Sequence, residues 1–236
     1  MDIRACLFDV FGTVVDWRTS VSRDLAGFAR QKGISGIDWT EFAVEWRKLY
    51  QPSMEAVRSG KRAFTILDVL HRESLDRLVA RYRIRGLAEA DVEHVNRVWH
   101  RLDPWPDAVP GLLSLKTKFV IAPCSNGNIA LMVNMAKRAG LPWDCILGAE
   151  TARAYKPMPD AYLVSCRQLG LAPGSVMMVA AHNGDLQAAK AQGLATAFVA
   201  RPTEHGPGQT TDLAADASCV DLPAADFVEL AAKLGC

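Results

Sequence analysis

The chain has 236 residues, half of them hydrophobic, with 27 basic side chains against 26 acidic ones. That composition buries a sizeable core and argues against global disorder, and a net charge of +1 gives neither nucleic acid nor an acidic membrane a basic face to grip. No apolar run is long enough to span a bilayer, and the apolar part of MDIRACLFDV is too short for a secretory signal, so a cytoplasmic protein is expected.

The first element is the apolar run from Ala5 to Phe8, which stops at Asp9 and leads at once into Gly12 and Thr13. A buried strand ending on a carboxylate before a glycine turn puts that carboxylate at the C-terminal edge of a sheet, where open α/β folds bind their ligands. From residue 18 to 102 no strand pattern interrupts. Helical spacing predicts a helix over 20–33, with Leu25, Phe28 and Ala29 on one face and Gly33 as its stop. A second is predicted over 38–50, with Trp39, Phe42, Trp46 and Leu49 in a stripe, an Asp38–Glu41 capping box, and an interruption at Pro52. Two more are predicted over roughly 62–83 and 88–101. These four helices read as an all-helical cap, residues 17–102, inserted into a core made of 1–16 and 103–236.

The proline-rich segment LDPWPDAVPG reads as the return into that core. Beyond it, strands are predicted over 118–125, 145–150, 175–181 and 195–200, alternating with helices over 129–139, 159–170 and 185–193. A last short strand near 217–220 and a helix near 224–234 complete the chain. The alternation predicts a Rossmann-like α/β core of about five parallel strands. Six scattered cysteines show no metal-ligand spacing and read as reduced thiols, three of them in or beside apolar strands.

Polar residues end these strands in chain order: Asp9, then Ser125 and Asn126, then Lys156 in YKPMPDAY, then His182, Asn183, Gly184 and Asp185. In a parallel sheet such ends share one edge and converge. The set, in this order and with a helical insert after the first strand, resembles the haloacid dehalogenase superfamily over almost the whole chain. The residue two beyond the nucleophile separates the branches. Phosphatases of the superfamily usually carry an acid there to protonate the leaving alcohol. This chain has Phe11, similar to the L-2-haloacid dehalogenase branch, whose halide leaving group needs no proton.

That resemblance implies hydrolysis of short L-2-haloacids to 2-hydroxyacids with inversion: Asp9 attacks C2, and water then hydrolyses the aspartyl ester. It implies that Lys156 keeps Asp9 ionised, that Thr13 hydrogen-bonds the nucleophile, and that Asp185 positions Lys156 and the hydrolytic water. On the substrate side it assigns the carboxylate to Ser125, the halide to Phe11, Arg47 and Asn126, and places Tyr162 and Asn183 beside them. Two positions depart from the family pattern. His182 replaces an amide and, titrating near neutrality, suits a base for ester hydrolysis. Gly184 stands where an aromatic normally walls the halide site. The partners implied are a small anionic substrate and halide, with a homodimer admitted by the family, and no cofactor is expected. The alternative is a magnesium-dependent small-molecule phosphatase, with Asp9, Asp185 and the Phe11 carbonyl as metal ligands.

Overall fold

The computed structural model describes residues 2–236. Strand β1 (Ala5–Phe8) leads through a tight loop to a two-residue strand β2 (Val15–Asp16) and helix α1 (Trp17–Lys32). Helices α2 (Trp39–Lys48), α3 (Tyr50–Arg58), α4 (Leu67–Arg81) and α5 (Glu89–Asn96) follow, then a 3-10 turn over Arg97–His100 and strand β3 (Asp103–Pro104). The antiparallel pairs Val15–Pro104 and Asp16–Asp103 bring the two ends of this helical insert together. The rest runs α6 (Ala108–Lys116), β4 (Val120–Ser125), α7 (Ile129–Ala139), β5 (Leu147–Gly148), α8 (Ala149–Ala152) and α9 (Pro159–Gln168). It ends with β6 (Val176–Ala180), α10 (Asn183–Ala191), β7 (Ala195–Val199), β8 (Leu222–Ala224) and α11 (Phe227–Lys233).

The main sheet has six strands in the order β5-β4-β1-β6-β7-β8, with every pairing parallel. β1 is central, and its side chains alternate between two cores: Cys6 and Phe8 face one, Ala5 and Leu7 the other. Burial on both faces is why ACLF reads as a continuous apolar run. The order reverses at β1, so a crevice opens beyond its C-terminal end, where Asp9 lies.

The structure differs from the sequence expectations at four places. Pro52 does not interrupt a helix; the chain breaks at Leu49, and Pro52 sits in the first turn of α3, where its missing N–H costs no hydrogen bond. The insert therefore has five helices and not four. Helix α4 starts at Leu67 rather than near 62 because the preceding segment makes outward bonds: Arg62 pairs with Glu73, and Tyr155 donates to the Thr65 carbonyl at 2.5 Å. The last strand lies at 222–224, not 217–220, since Cys219 N–H turns back to Asp216 and Thr196 Oγ1 donates to the Cys219 carbonyl. Asp38 caps α2 through the N–H groups of Thr40 and Glu41, without the return bond to the Glu41 side chain that would close the expected capping box.

Insert and core are tied by polar contacts that straddle the crevice. Asp68, in the first turn of α4, accepts from Asn128 Nδ2 and pairs with His100, while its own N–H donates to Asn128 Oδ1 at 3.2 Å. Arg58 Nη1 donates to the Lys156 carbonyl at 3.1 Å. Replacing Asn128 by Ala strands the Asp68 N–H and one carboxylate oxygen. Urea unfolding of Asn128→Ala is expected to show a loss of about 1–3 kcal/mol; an unchanged midpoint would contradict this role.

Candidate active site

Asp9 follows β1 directly, its N–H bonded to the Val179 carbonyl at 3.0 Å. Both carboxylate oxygens are engaged. Lys156 Nζ reaches Oδ1 at 2.8 Å, and Thr13 Oγ1 donates to Oδ2 at 2.8 Å while accepting from Ala181 N–H. His182 Nδ1 lies 3.2 Å from Oδ2. Burial would oppose ionisation of Asp9, but the Lys156 charge and the His182 hydrogen bond hold it well below the usual carboxylate range.

Lys156 is the shared cation of the site. Its Nζ lies 2.8 Å from Asp9 and 2.5 Å from Asp185 Oδ2. Burial alone would favour neutral lysine, yet Asp185 and Asp9 together raise its pKa above the ordinary value. Asn126 fixes the lysine backbone, its Oδ1 accepting from Lys156 N–H at 2.8 Å. Tyr162 OH donates to the other Asp185 oxygen at 2.6 Å; burial and that carboxylate push the phenol upward, so it stays a donor. The ammonium lies between the two carboxylates, and all four of their oxygens already accept hydrogen bonds.

These groups floor a cavity of about 800 Å³ between core and insert. Its upper wall carries Arg47, whose guanidinium sits 4.1 Å from the Tyr50 ring centroid and 5.8 Å from that of Phe11. Among the described residues, its Nη1 is buried with no hydrogen-bond partner. A desolvated, unpaired guanidinium nitrogen beside aromatic faces is a ready anion site. Phe11 packs edge-on to Tyr50 and Trp99 and is only 2% exposed. No proton donor occupies its position.

The structure therefore brings Asp9, Phe11, Thr13, Arg47, Asn126, Lys156, Tyr162, His182 and Asp185 together around one cavity, with Thr13 and Tyr162 acting through Asp9 and Asp185. Two expected residues face elsewhere. Ser125 is fully buried, and its hydroxyl accepts from Gly127 N–H at 3.0 Å, closing its own turn. Asn183 turns from the cavity to hold the loop at 212–216, bonding Asp212, Ala214 and Asp216.

His182 also departs from expectation. Its Nε2 bonds Glu204 Oε2 at 2.8 Å, so the ring lies between two carboxylates. Burial would lower its pKa, but hydrogen bonds to Asp9 and Glu204 push it up to about 10. At neutral pH it is a hydrogen-bond donor rather than the neutral base the sequence suggested. Glu204, His205, Trp17 and Tyr50 were not legible as site residues. Glu204 lies against the nucleophile loop: Gly12 has φ +90°, and a Cβ there would lie 2.0 Å from Glu204 Oε1.

The raised pKa has a consequence for stability. The ion pairs of His182 contribute fully below the ordinary histidine value of 6.5 and are lost as pH rises through about 10. Urea midpoints should therefore fall more steeply for the wild type than for His182→Gln across that window. Parallel curves would contradict the pairing.

Comparison with known proteins agrees with this geometry. A family model described as haloacid dehalogenase-like hydrolase matches residues 3–193. The chain is 28% identical over 214 residues to (S)-2-haloacid dehalogenase 4A of Burkholderia cepacia, covering 84% of each protein. The crystal structure of the defluorinating L-2-haloacid dehalogenase Rha0230 is similar with a TM-score of 0.96 at 51% identity, over 99% of this chain and 96% of that one. That of the L-2-haloacid dehalogenase PA0810 gives 0.93 at 46% identity, over 99% and 100%. With a parallel six-stranded core, a helical insert after β1 and this convergent edge, the chain belongs to the haloacid dehalogenase-like hydrolase family.

Proposed function

We propose that the protein is an (S)-2-haloacid dehalogenase that hydrolyses short L-2-haloacids without a metal. One observation carries the reading: a carboxylate held ionised by Lys156 faces a cavity whose opposite wall offers the unpaired Arg47 guanidinium. Asp9 supplies the electron pair that forms an O–C2 bond as the carbon–halogen bond breaks, and the halide departs as an anion toward Arg47. Phe11 gives no proton, and a halide requires none. Water then adds to the carbonyl carbon of the ester, and collapse of that adduct releases the 2-hydroxyacid and restores Asp9. Lys156 stays paired with Asp185 when alkylation removes the Asp9 charge. The similar defluorinating enzyme extends the proposal to carbon–fluorine substrates.

Gly184 shapes the substrate range. It lines the cavity in the first turn of α10, and a Cβ built there meets nothing within 4 Å. With no side chain at this position, the cavity leaves room for 2-haloacids with longer side chains. The helical backbone of Gly184 carries an L side chain without strain at Cβ.

The test is halide release from each enantiomer of 2-chloropropionate, and from fluoroacetate, in EDTA. Release from the L-enantiomer alone is expected, with Asp9→Asn slower by more than about 1,000-fold. Magnesium-dependent phosphate release from phosphomonoesters without any halide release would overturn the reading. Gly184→Phe should keep chloroacetate turnover and lower kcat/KM for longer 2-chloroacids by roughly 10-fold or more; equal losses on both would show that Gly184 does not set chain length.

A further inference from the structure

Glu204 has no part in the two-step reaction as outlined above, yet it is the most deeply held carboxylate near the nucleophile. Only 2% of its side chain is exposed. Oε2 takes the bond from His182 Nε2 at 2.8 Å, and Oε1 takes one from Trp17 Nε1 at 3.0 Å. Its carboxylate packs against Gly12, where a Cβ would lie 2.0 Å from Oε1. His182 therefore has an ionised carboxylate at each ring nitrogen, Asp9 at Nδ1 and Glu204 at Nε2. Carboxylates only accept, and only an imidazolium donates from both nitrogens.

The charges along this line alternate: Asp185, Lys156, Asp9, His182, Glu204. Alkylation of Asp9 removes the central negative charge. Lys156 still has Asp185, and His182 has Glu204 alone. Without Glu204 the imidazolium would face a neutral ester with no counter-charge and would shed its proton, and its charge-assisted hydrogen bond to Asp9 would be lost. The need for Glu204 thus arises only after the first step.

We propose that Glu204 is a positioning residue that keeps His182 protonated, with Nδ1–H directed at Asp9, through the ester intermediate, so that its contribution falls on ester hydrolysis and not on halide displacement. The inference rests on the dehalogenase reading given above. In the second step water forms a bond to the ester carbon and the carbonyl electron pair moves to oxygen. Collapse breaks the bond to the alkoxide; one water proton ends on the released hydroxyl and the other in solvent. Negative charge develops first on the carbonyl oxygen and then on the leaving oxygen. A cation whose Nδ1 lies 3.2 Å from Oδ2 stabilises the charge that develops on that oxygen. Asp9 and Glu204 face His182 directly, Lys156 acts from beyond Asp9, and Arg47 and His205 act on Glu204.

The experiment is a single-turnover reaction of Glu204→Gln with L-2-chloropropionate, following chloride release and, by intact-protein mass, the alkylated Asp9. A chloride burst within about 3-fold of the wild-type rate is expected, followed by ester that persists about 100-fold longer at about pH 8.5 and recovers toward about pH 6, as the histidine regains its proton. A structural defect would not be relieved by acid. A lost burst, or ester turnover with the wild-type pH profile, would overturn the proposal. Should Glu204→Gln not fold, Asp9→Asn decides, its neutral amide standing in for the ester. Nitrogen NMR of His182 should then show a protonated ring at about pH 8, and a neutral ring would overturn the proposal. This measurement needs no substrate, whereas a wild-type enzyme that releases no halide would sink the dehalogenase reading by itself.

Discussion

The Lys156 ammonium, shared between Asp9 and Asp185, is the constraint on which the site depends. A lysine with a side chain 8% exposed survives as a cation only because two carboxylates flank it. Those carboxylates come from the end of β1 and the first turn of α10, and the lysine comes from the loop before α9. Sheet order puts all three at one edge. Losing Lys156 would leave Asp185 a buried carboxylate with no cation beside it, so the arrangement is both the chemical device and a structural lock. His182 and Glu204 continue it, giving five alternating charges.

The second constraint is the aromatic lining that the insert places above that edge. Phe11, Tyr50, Trp17 and Trp99 contact one another or Arg47, and Trp46 packs edge-on to Trp99 behind them. A guanidinium among faces that cannot accept a conventional hydrogen bond keeps its affinity for an anion, and the apolar surroundings strengthen each charge inside. The nucleophile loop is pinned from the opposite side as well. Arg201 Nε donates to the Thr13 carbonyl at 2.8 Å while its guanidinium pairs with Asp107, which also accepts from Phe227 N–H at the start of α11. The loop carrying Asp9 is thus anchored to both ends of the core.

Much of this was legible because it lies at the ends of regular elements. Asp9, Lys156 and Asp185 sit where an apolar run meets a turn or a helix begins, so strand order alone brings them together. Helix existence in the insert followed from spacing, while Pro52 misled because proline marks a break only inside a helix and not in its first turn. Ser125 and Asn183 were placed at the correct edge, but position on an edge does not fix where a side chain turns: Ser125 satisfies its own loop and Asn183 the loop at 212–216. Glu204 was out of reach. It lies in an irregular segment with no periodicity, and its partners Gly12, Trp17 and His182 are distant in sequence. For the same reason His182 reads as a neutral histidine in the sequence and as an imidazolium in the fold.

The central claim is covalent catalysis by Asp9. It is tested most directly by a single turnover of L-2-chloropropionate, with enzyme in excess, in water enriched in the heavy oxygen isotope. Water that attacks the ester carbonyl leaves its label in the Asp9 carboxylate, and the first 2-hydroxypropionate released carries none. Label in the product with an unlabelled Asp9 would mean that water displaces the halide at C2 itself, and would contradict the account.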